Sequence, residues 1–216
     1  MLHAVVLAHP KPTSFCAALA RTCVEHLRAG GHEAQLHDLY AMDFDPRLQA
    51  EEMPTPHGVT PAPDVVAERR RLSAVKSFIF VYPFWFNAPP AILKGYVDRV
   101  FGMGFGYAPG AGGTEALLTG KSLLSFSTSG APDDWVNHTG ALKALMTVFD
   151  IHLQGVCGLR VLDHKHFGGV VSNMTDEFRR RRARAGAHAP GRALRARRGL
   201  TRWTTLRNRR PATPPS

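Results

Sequence analysis

Cysteine is scarce: Cys16, Cys23 and Cys157 are the only three in 216 residues, and no two form a CxxC pair. A disulfide framework or a zinc site is therefore not expected. Cys16 and Cys23 stand seven apart on one predicted helix and read as buried free thiols. Long apolar runs are also missing, and none reaches the roughly 18 residues that span a bilayer. The Leu2 to Ala8 segment has neither the basic n-region nor the longer apolar h-region of a secretion signal. Together these absences predict a cytoplasmic chain, and its 44% hydrophobic content suits one folded domain. Acidic residues are absent from 179–216, which hold 13 of the 27 basic residues. The formal charge of +10 thus belongs to that tail, because the first 178 residues carry 14 basic and 17 acidic side chains. The expected division is a folded domain over 1–178 and an Arg-rich tail over 179–216, disordered or loosely helical. Counterion release would let the tail contact nucleic acid or an acidic membrane, and nothing else in the sequence supports such contact.

What is present is an alternation. Strand-like runs at Ala4 to Ala8, Ala34 to His37, Ser77 to Tyr82, Ser122 to Ser127 and Gly158 to Leu162 are separated by helical stretches, which predicts successive βαβ units. Thr13 or Ser14 caps the first helix, whose Phe15, Leu19 and Val24 face the sheet before Gly30-Gly31 stops it. Asp64 to Ala74 is a second helix, and Met53 to Pro63, with four prolines, is a loop. Gly102 to Gly113 follows a helix rather than a strand, so a dinucleotide fingerprint is not supported and a mobile loop is expected. Thr175-Asp176-Glu177 has the form of a helix start whose apolar face then dissolves into Arg and Ala.

The most informative stretch is FVYPFWFNAPPAILKGYVDRVFGMGFG, Phe80 to Gly106. Its run of β-formers ends at Pro83 and passes through Phe84-Trp85-Phe86-Asn87. A helix then opens behind Pro89 and Pro90, where a missing N–H costs nothing. Ligands of parallel α/β sheets bind at the carboxyl ends of the strands, so aromatics there offer an apolar surface to a flat ligand such as an isoalloxazine ring. His9 to Cys16 lies between the first strand and a helix N-terminus, where free N–H groups and the helix dipole favour a phosphate. His164 and His166 share a face if extended. With no third ligand indicated they predict no metal site, and a loop running on to Gly168-Gly169 is expected to line the substrate opening or a dimer contact.

Pro83, Trp85, Pro90 to Gly95 and Asp98 to Phe101 resemble the flavin-loop signature of the flavodoxin-like NAD(P)H:quinone reductases, a family that also includes the potassium-efflux ancillary reductases. Ala8 to Phe15 resembles that family's phosphate loop, and Ser127-Thr128-Ser129-Gly130 its Thr-Thr-Gly-Gly loop. The resemblance covers about residues 2 to 178. It implies an α/β, doubly wound, five-stranded parallel sheet that binds FAD, with FMN as the alternative. It also implies NAD(P)H as co-substrate, a quinone-like acceptor and a homodimer. The cofactor-binding residues it implies are His9, Thr13, Ser14, Phe15, Cys16, Pro83, Phe84, Trp85, Phe86, Asn87, Ser127, Thr128, Ser129 and Gly130. Three positions depart from the family: Cys16 where Asn is usual, Ser129 where Gly is usual, and Trp135 where relatives carry a proton-donating Tyr. Trp135 and the nearest histidine, His138, are the catalytic candidates, although an indole donates a hydrogen bond and no proton at neutral pH. A flavodoxin-style electron carrier or a regulatory flavin-binding subunit is the competing expectation.

Overall fold

The computed structural model describes residues 1–56, 58–171, 182–184 and 186. Five parallel strands form one sheet in the order β2-β1-β3-β6-β7: β1 (Leu2–Leu7), β2 (Glu33–Asp38), β3 (Ser77–Pro83), β6 (Ser122–Thr128) and β7 (Arg160–Phe167). The doubly wound α/β expectation holds. β3 and β6 are buried along their whole length, as strands with helices on both faces must be. β3 meets this with near-continuous apolar residues. β6 carries Ser122, Ser125, Ser127 and Thr128, whose buried hydroxyls require partners.

One face of the sheet is covered by α1 (Phe15–Ala29), which buries Phe15, Leu19, Cys23 and Leu27 against Val5, Leu7, Val81 and Phe126. Ser14 caps α1 by accepting a hydrogen bond from the Ala17 N–H at 3.1 Å. The other face packs on α2 (Pro63–Leu72), α3 (Ala91–Val100) and a continuous helical stretch. That stretch runs through α5 (Ala141–Leu145), a π-helical turn (Met146–Ile151) and α6 (His152–Cys157). Phe78 and Phe80 of β3 meet Phe101 edge to face at 5.0 and 5.9 Å, a favoured aromatic geometry.

Much of the Phe80 to Gly106 signature is scaffold. The Arg99 guanidinium, 4% exposed, gives its five N–H groups to Glu52, Asp64 and the Asp45 carbonyl at 2.6–3.2 Å, tying the loop before α2 to α3. Gly95 lets α3 approach Pro46 so closely that a Cβ would lie 2.1 Å from the Pro46 carbonyl oxygen.

Two expectations need correction. The glycine-rich segment 102–113 is not a featureless loop: β4 (Tyr107–Gly110) pairs with β5 (Gly113–Ala116) in an antiparallel hairpin. The last strand reaches Phe167, past the expected end at Leu162, so His164 and His166 lie on β7 rather than in a loop. The Thr175 helix start and most of the Arg-rich tail lie outside the described residues. Within the tail, 182–184 are helical, and Ala183 is fully buried against the α1 face of the sheet. Among the described residues no helix is long and apolar enough to cross a membrane.

Candidate active site

The strand order reverses between β1 and β3, whose registers match Leu7 with Val81, so the loops leaving their carboxyl ends flank one crevice. The Ala8 N–H donates to the Val81 carbonyl at 3.0 Å and the Phe84 N–H to the Thr128 carbonyl at 2.6 Å. Three loops, 8–14, 84–90 and 129–132, therefore open at the same end of the sheet. The rings of His9 and Trp85 stand 5.7 Å apart, linking the first loop to the second.

The first loop has the helix N-terminus and the nearby cation that suit an anion. His9, Lys11, Thr13, Ser14 and Phe15, with Val170 and Val171, line a cleft of about 290 Å³ at the start of α1. The Lys11 N–H donates to His9 Nδ1 at 3.0 Å, and the Ser14 N–H to the Lys11 carbonyl at 3.0 Å, which fixes the loop. Burial, aided by Lys11, lowers the His9 pKa, so its imidazole is neutral at pH 7. Positive charge in the cleft comes from Lys11 and the helix dipole instead.

The second loop is a tight turn closed by the Ala88 N–H on the Trp85 carbonyl at 3.0 Å. Both central residues have positive φ, Phe86 at 48° and Asn87 at 58°, the arrangement of a type I′ turn. Asn tolerates this conformation, whereas a bulky aromatic adopts it only under constraint, and such strain concentrates at ligand clamps. The turn leaves Phe86 fully exposed and Trp85 45% exposed, while Phe84 is buried. Two large aromatics held out beside an anion cradle fit a flat ring that carries a phosphate.

The sequence profile of a family described as having a flavodoxin-like fold matches residues 1–189. This chain belongs to that family. A Haemophilus influenzae protein described as an uncharacterized NAD(P)H oxidoreductase is 33% identical over 172 residues, covering 79% of this chain and 85% of that protein. NAD(P)H dehydrogenase [quinone] 1 of Rattus norvegicus is 30% identical over 179 residues, covering 74% of this chain, which spans only 65% of the rat enzyme. Among solved structures, the NAD(P)H:quinone oxidoreductase of Methanothermobacter marburgensis superposes with a TM-score of 0.78 at 26% identity, covering 90% of this chain and 97% of that one. The family match extends past residue 178, in keeping with the buried Ala183.

Within this family fold the third loop departs from expectation. Ser127 and Thr128 are buried, and their hydroxyls are engaged by side chains of β7 and α1. Thr128 Oγ1 lies 3.2 Å from the Cys16 Sγ. Cys16 is itself buried and its thiol pKa is pushed up to about 12 by that burial, so it stays a neutral thiol that ties the start of α1 to the end of β6 inside the core. Phe15 likewise packs on Phe167, with ring centres 5.4 Å apart. Cys16, Pro83, Phe84, Ser127 and Thr128 are buried behind the crevice, and Phe15, also buried, lines the cleft at the start of α1. His9, Thr13, Ser14, Trp85, Phe86, Asn87, Ser129 and Gly130 form its accessible rim.

Trp135 and His138 lie three apart on α4 (Asp133–His138), so they share a helix face, and both are exposed. Their side chains make no hydrogen bond or ring contact among the described residues. The expectation from sequence placed the His164–His166 segment at the substrate opening or a dimer contact but gave His166 no role in the site. Its Nδ1 lies 2.8 Å from Ser127 Oγ, its Nε2 lies 2.8 Å from Ser129 Oγ, and its ring stands edge-on to Phe84 at 5.7 Å. Behind it His164 joins the same Ser127 hydroxyl at 2.8 Å and the buried Asp150 at 2.5 Å. Two signals pointed there: serines in a strand buried on both faces, and histidines two apart.

Proposed function

We propose that this chain is a flavin-dependent NAD(P)H oxidoreductase that transfers two electrons from a nicotinamide to a quinone or a similarly flat acceptor. The observation that carries the reading is the adjacency of the anion cradle at Lys11 and Ser14 and the strained aromatic turn at Trp85 and Phe86, bridged by the His9–Trp85 contact. The names of the relatives support it. A bound flavin supplies the two-electron chemistry. The chain's own part is to hold the phosphate at the start of α1, to stack Trp85 and Phe86 on the ring, and to present backbone groups of residues 84–87 and 129–130 to its edges.

FAD is the proposed cofactor, with FMN as the alternative, and the protein is proposed to act in the cytoplasm. A homodimer is supported by a second, larger cleft of about 810 Å³, bounded by α3, the β4–β5 hairpin and α6. At its edge the π-turn leaves Val148 68% and Ile151 47% exposed, apolar surface that a second copy would cover. Trp135 and His138, which share one face of α4, are proposed to hydrogen-bond the acceptor once it is bound.

The test is direct. Protein purified in the presence of flavin should be yellow, release FAD or FMN on heating as identified by mass, and oxidise NADH or NADPH only when a quinone is supplied. A colourless protein that takes up neither flavin overturns the reading.

A further inference from the structure

The hydrogen bonds behind the third loop form one continuous chain from the interior to its rim. Asp150, fully buried on the π-turn, meets the Ser125 hydroxyl at 2.6 Å and His164 Nδ1 at 2.5 Å. His164 Nε2, Ser127 Oγ, His166 Nδ1, His166 Nε2 and Ser129 Oγ then follow in order, each step between residues spanning 2.8 Å. Ser129, partly exposed on the loop, ends the chain by donating to the Ala131 carbonyl at 2.9 Å. A π-turn within a helix is uncommon and recurs at functional sites, and here it carries the aspartate inward.

Counting protons decides the state of this chain. The single Ser129 proton is committed to Ala131, so His166 Nε2 must carry a hydrogen to donate to Ser129. If His166 is neutral, its Nδ1 is an acceptor and takes the Ser127 proton. Ser127 then accepts from His164 Nε2–H, and His164, which also donates from Nδ1 to Asp150, is an imidazolium paired with a carboxylate. Moving the positive charge to His166 satisfies the same bonds. His166 is the less favourable place, since burial lowers its pKa and Arg182 and His164 add to this, partly offset by Asp133. Asp150 faces His164, along with the Tyr82 ring at 6.2 Å and the Asp163 carboxylate that accepts the His164 backbone N–H.

Removing one proton reverses every link. His164 keeps only Nδ1–H, Ser127 donates to His164, His166 carries Nδ1–H and donates to Ser127, and Ser129 turns to donate to His166 Nε2. The bond to Ala131 is lost. We propose that Asp150, His164, Ser127, His166 and Ser129 form a proton wire that stores one proton and releases it through the Ser129 hydroxyl at the rim of the crevice.

Resting on the function proposed above, this supplies the proton that hydride transfer leaves wanting. The nicotinamide loses a hydride, the quinone gains two electrons and one hydrogen, and the second hydrogen comes from Ser129 Oγ. Ser129 is refilled from His166 Nε2, His166 Nδ1 from Ser127, and Ser127 from His164 Nε2. The electrons end on the acceptor, the wire loses one proton, and solvent returns it. Ser129, a departure from the family glycine, thereby acquires a use.

The wire can be tested in the flavin-free full chain, so its failure is distinct from failure of the flavin reading. Nitrogen-15 spectra of the histidine side chains, followed with pH, report which ring nitrogens carry hydrogen. As pH rises, His164 Nε2 and His166 Nε2 should both lose their hydrogen at one shared midpoint while His166 Nδ1 gains one, which independent titration cannot produce. Ser127→Ala should abolish the gain at His166 Nδ1, and Ser127→Thr, which keeps the hydroxyl, should restore it. A His166 tautomer that stays fixed while His164 titrates, or a switch that survives Ser127→Ala, overturns the wire. Should Ser127→Ala not fold, the unmutated titration alone decides.

Discussion

Two buried polar clusters lie on either side of β3, and they are built to opposite ends. The cluster toward β2 centres on Arg99, whose guanidinium is permanently charged and whose five N–H groups are all taken by Glu52, Asp64 and Asp45. The cluster toward β7 centres on two imidazoles and two hydroxyls, groups that can each exchange donor and acceptor roles. The first has one proton arrangement and therefore only holds α3 to its neighbours. The second has two, differing by one proton, and it opens on the crevice. Burial stabilises both by strengthening their hydrogen bonds, but only the chemistry of the members lets one of them move charge.

The comparison is broken most severely at the rigid cluster. Arg99→Met should leave the Glu52 carboxylate buried without its partner and cost about 3–5 kcal/mol, read as a lower urea midpoint. An unchanged midpoint would show that the cage is not a structural tie. Gly95→Ala, one turn away, forces a methyl onto the Pro46 carbonyl and should cost about 1–3 kcal/mol by overpacking. Here the loss should appear in unfolding while flavin affinity, once corrected for unfolded protein, is kept.

The aromatic turn should respond in the reverse sense. Phe86→Asn replaces a bulky residue at φ 48° by one that tolerates it, and should raise stability by up to about 1 kcal/mol while weakening flavin binding. A variant that is both less stable and equally tight in binding would refute the link between strain and ligand.

A smaller effect tests what buried histidine does without a charged partner. His3 contacts Ser77 at 2.5 Å and His32 edge to face at 5.0 Å, and its pKa is lowered to about 4 by burial and then by His32. The unfolded chain thus binds this proton first as pH falls. Stability should decline from about pH 6.5 and level off only near the folded value of about 4. His3→Asn should flatten this part of the profile in denaturant titrations, and a slope that persists would assign it to other groups.

Legibility from sequence followed burial. β1, β3 and β6 are buried on both faces and read as strands at once, and Ser14 capped α1 where expected. The second half of β7 was hidden because Asp163, His164, Lys165 and His166 lack the apolar pattern of a buried strand. They are strand residues because Ser125 to Thr128 supply the ladder and Ser127 the side-chain partner. The 102–113 glycines concealed a hairpin for a related reason: pairing of β4 with β5 is a long-range choice that glycine neither favours nor forbids.

The sequence by itself determined the βαβ alternation, the Ser14-capped first turn and the aromatic second loop, because each follows from local periodicity, caps and prolines within a few residues. Tertiary structure alone decided which of those aromatics stay in solvent, where Arg99 finds its carboxylates, and that Asp150 and Ser129, 21 positions apart along the chain, end one hydrogen-bonded line. Pairing of polar groups in a dry interior is settled by which strands lie side by side, and that order is a property of the whole sheet.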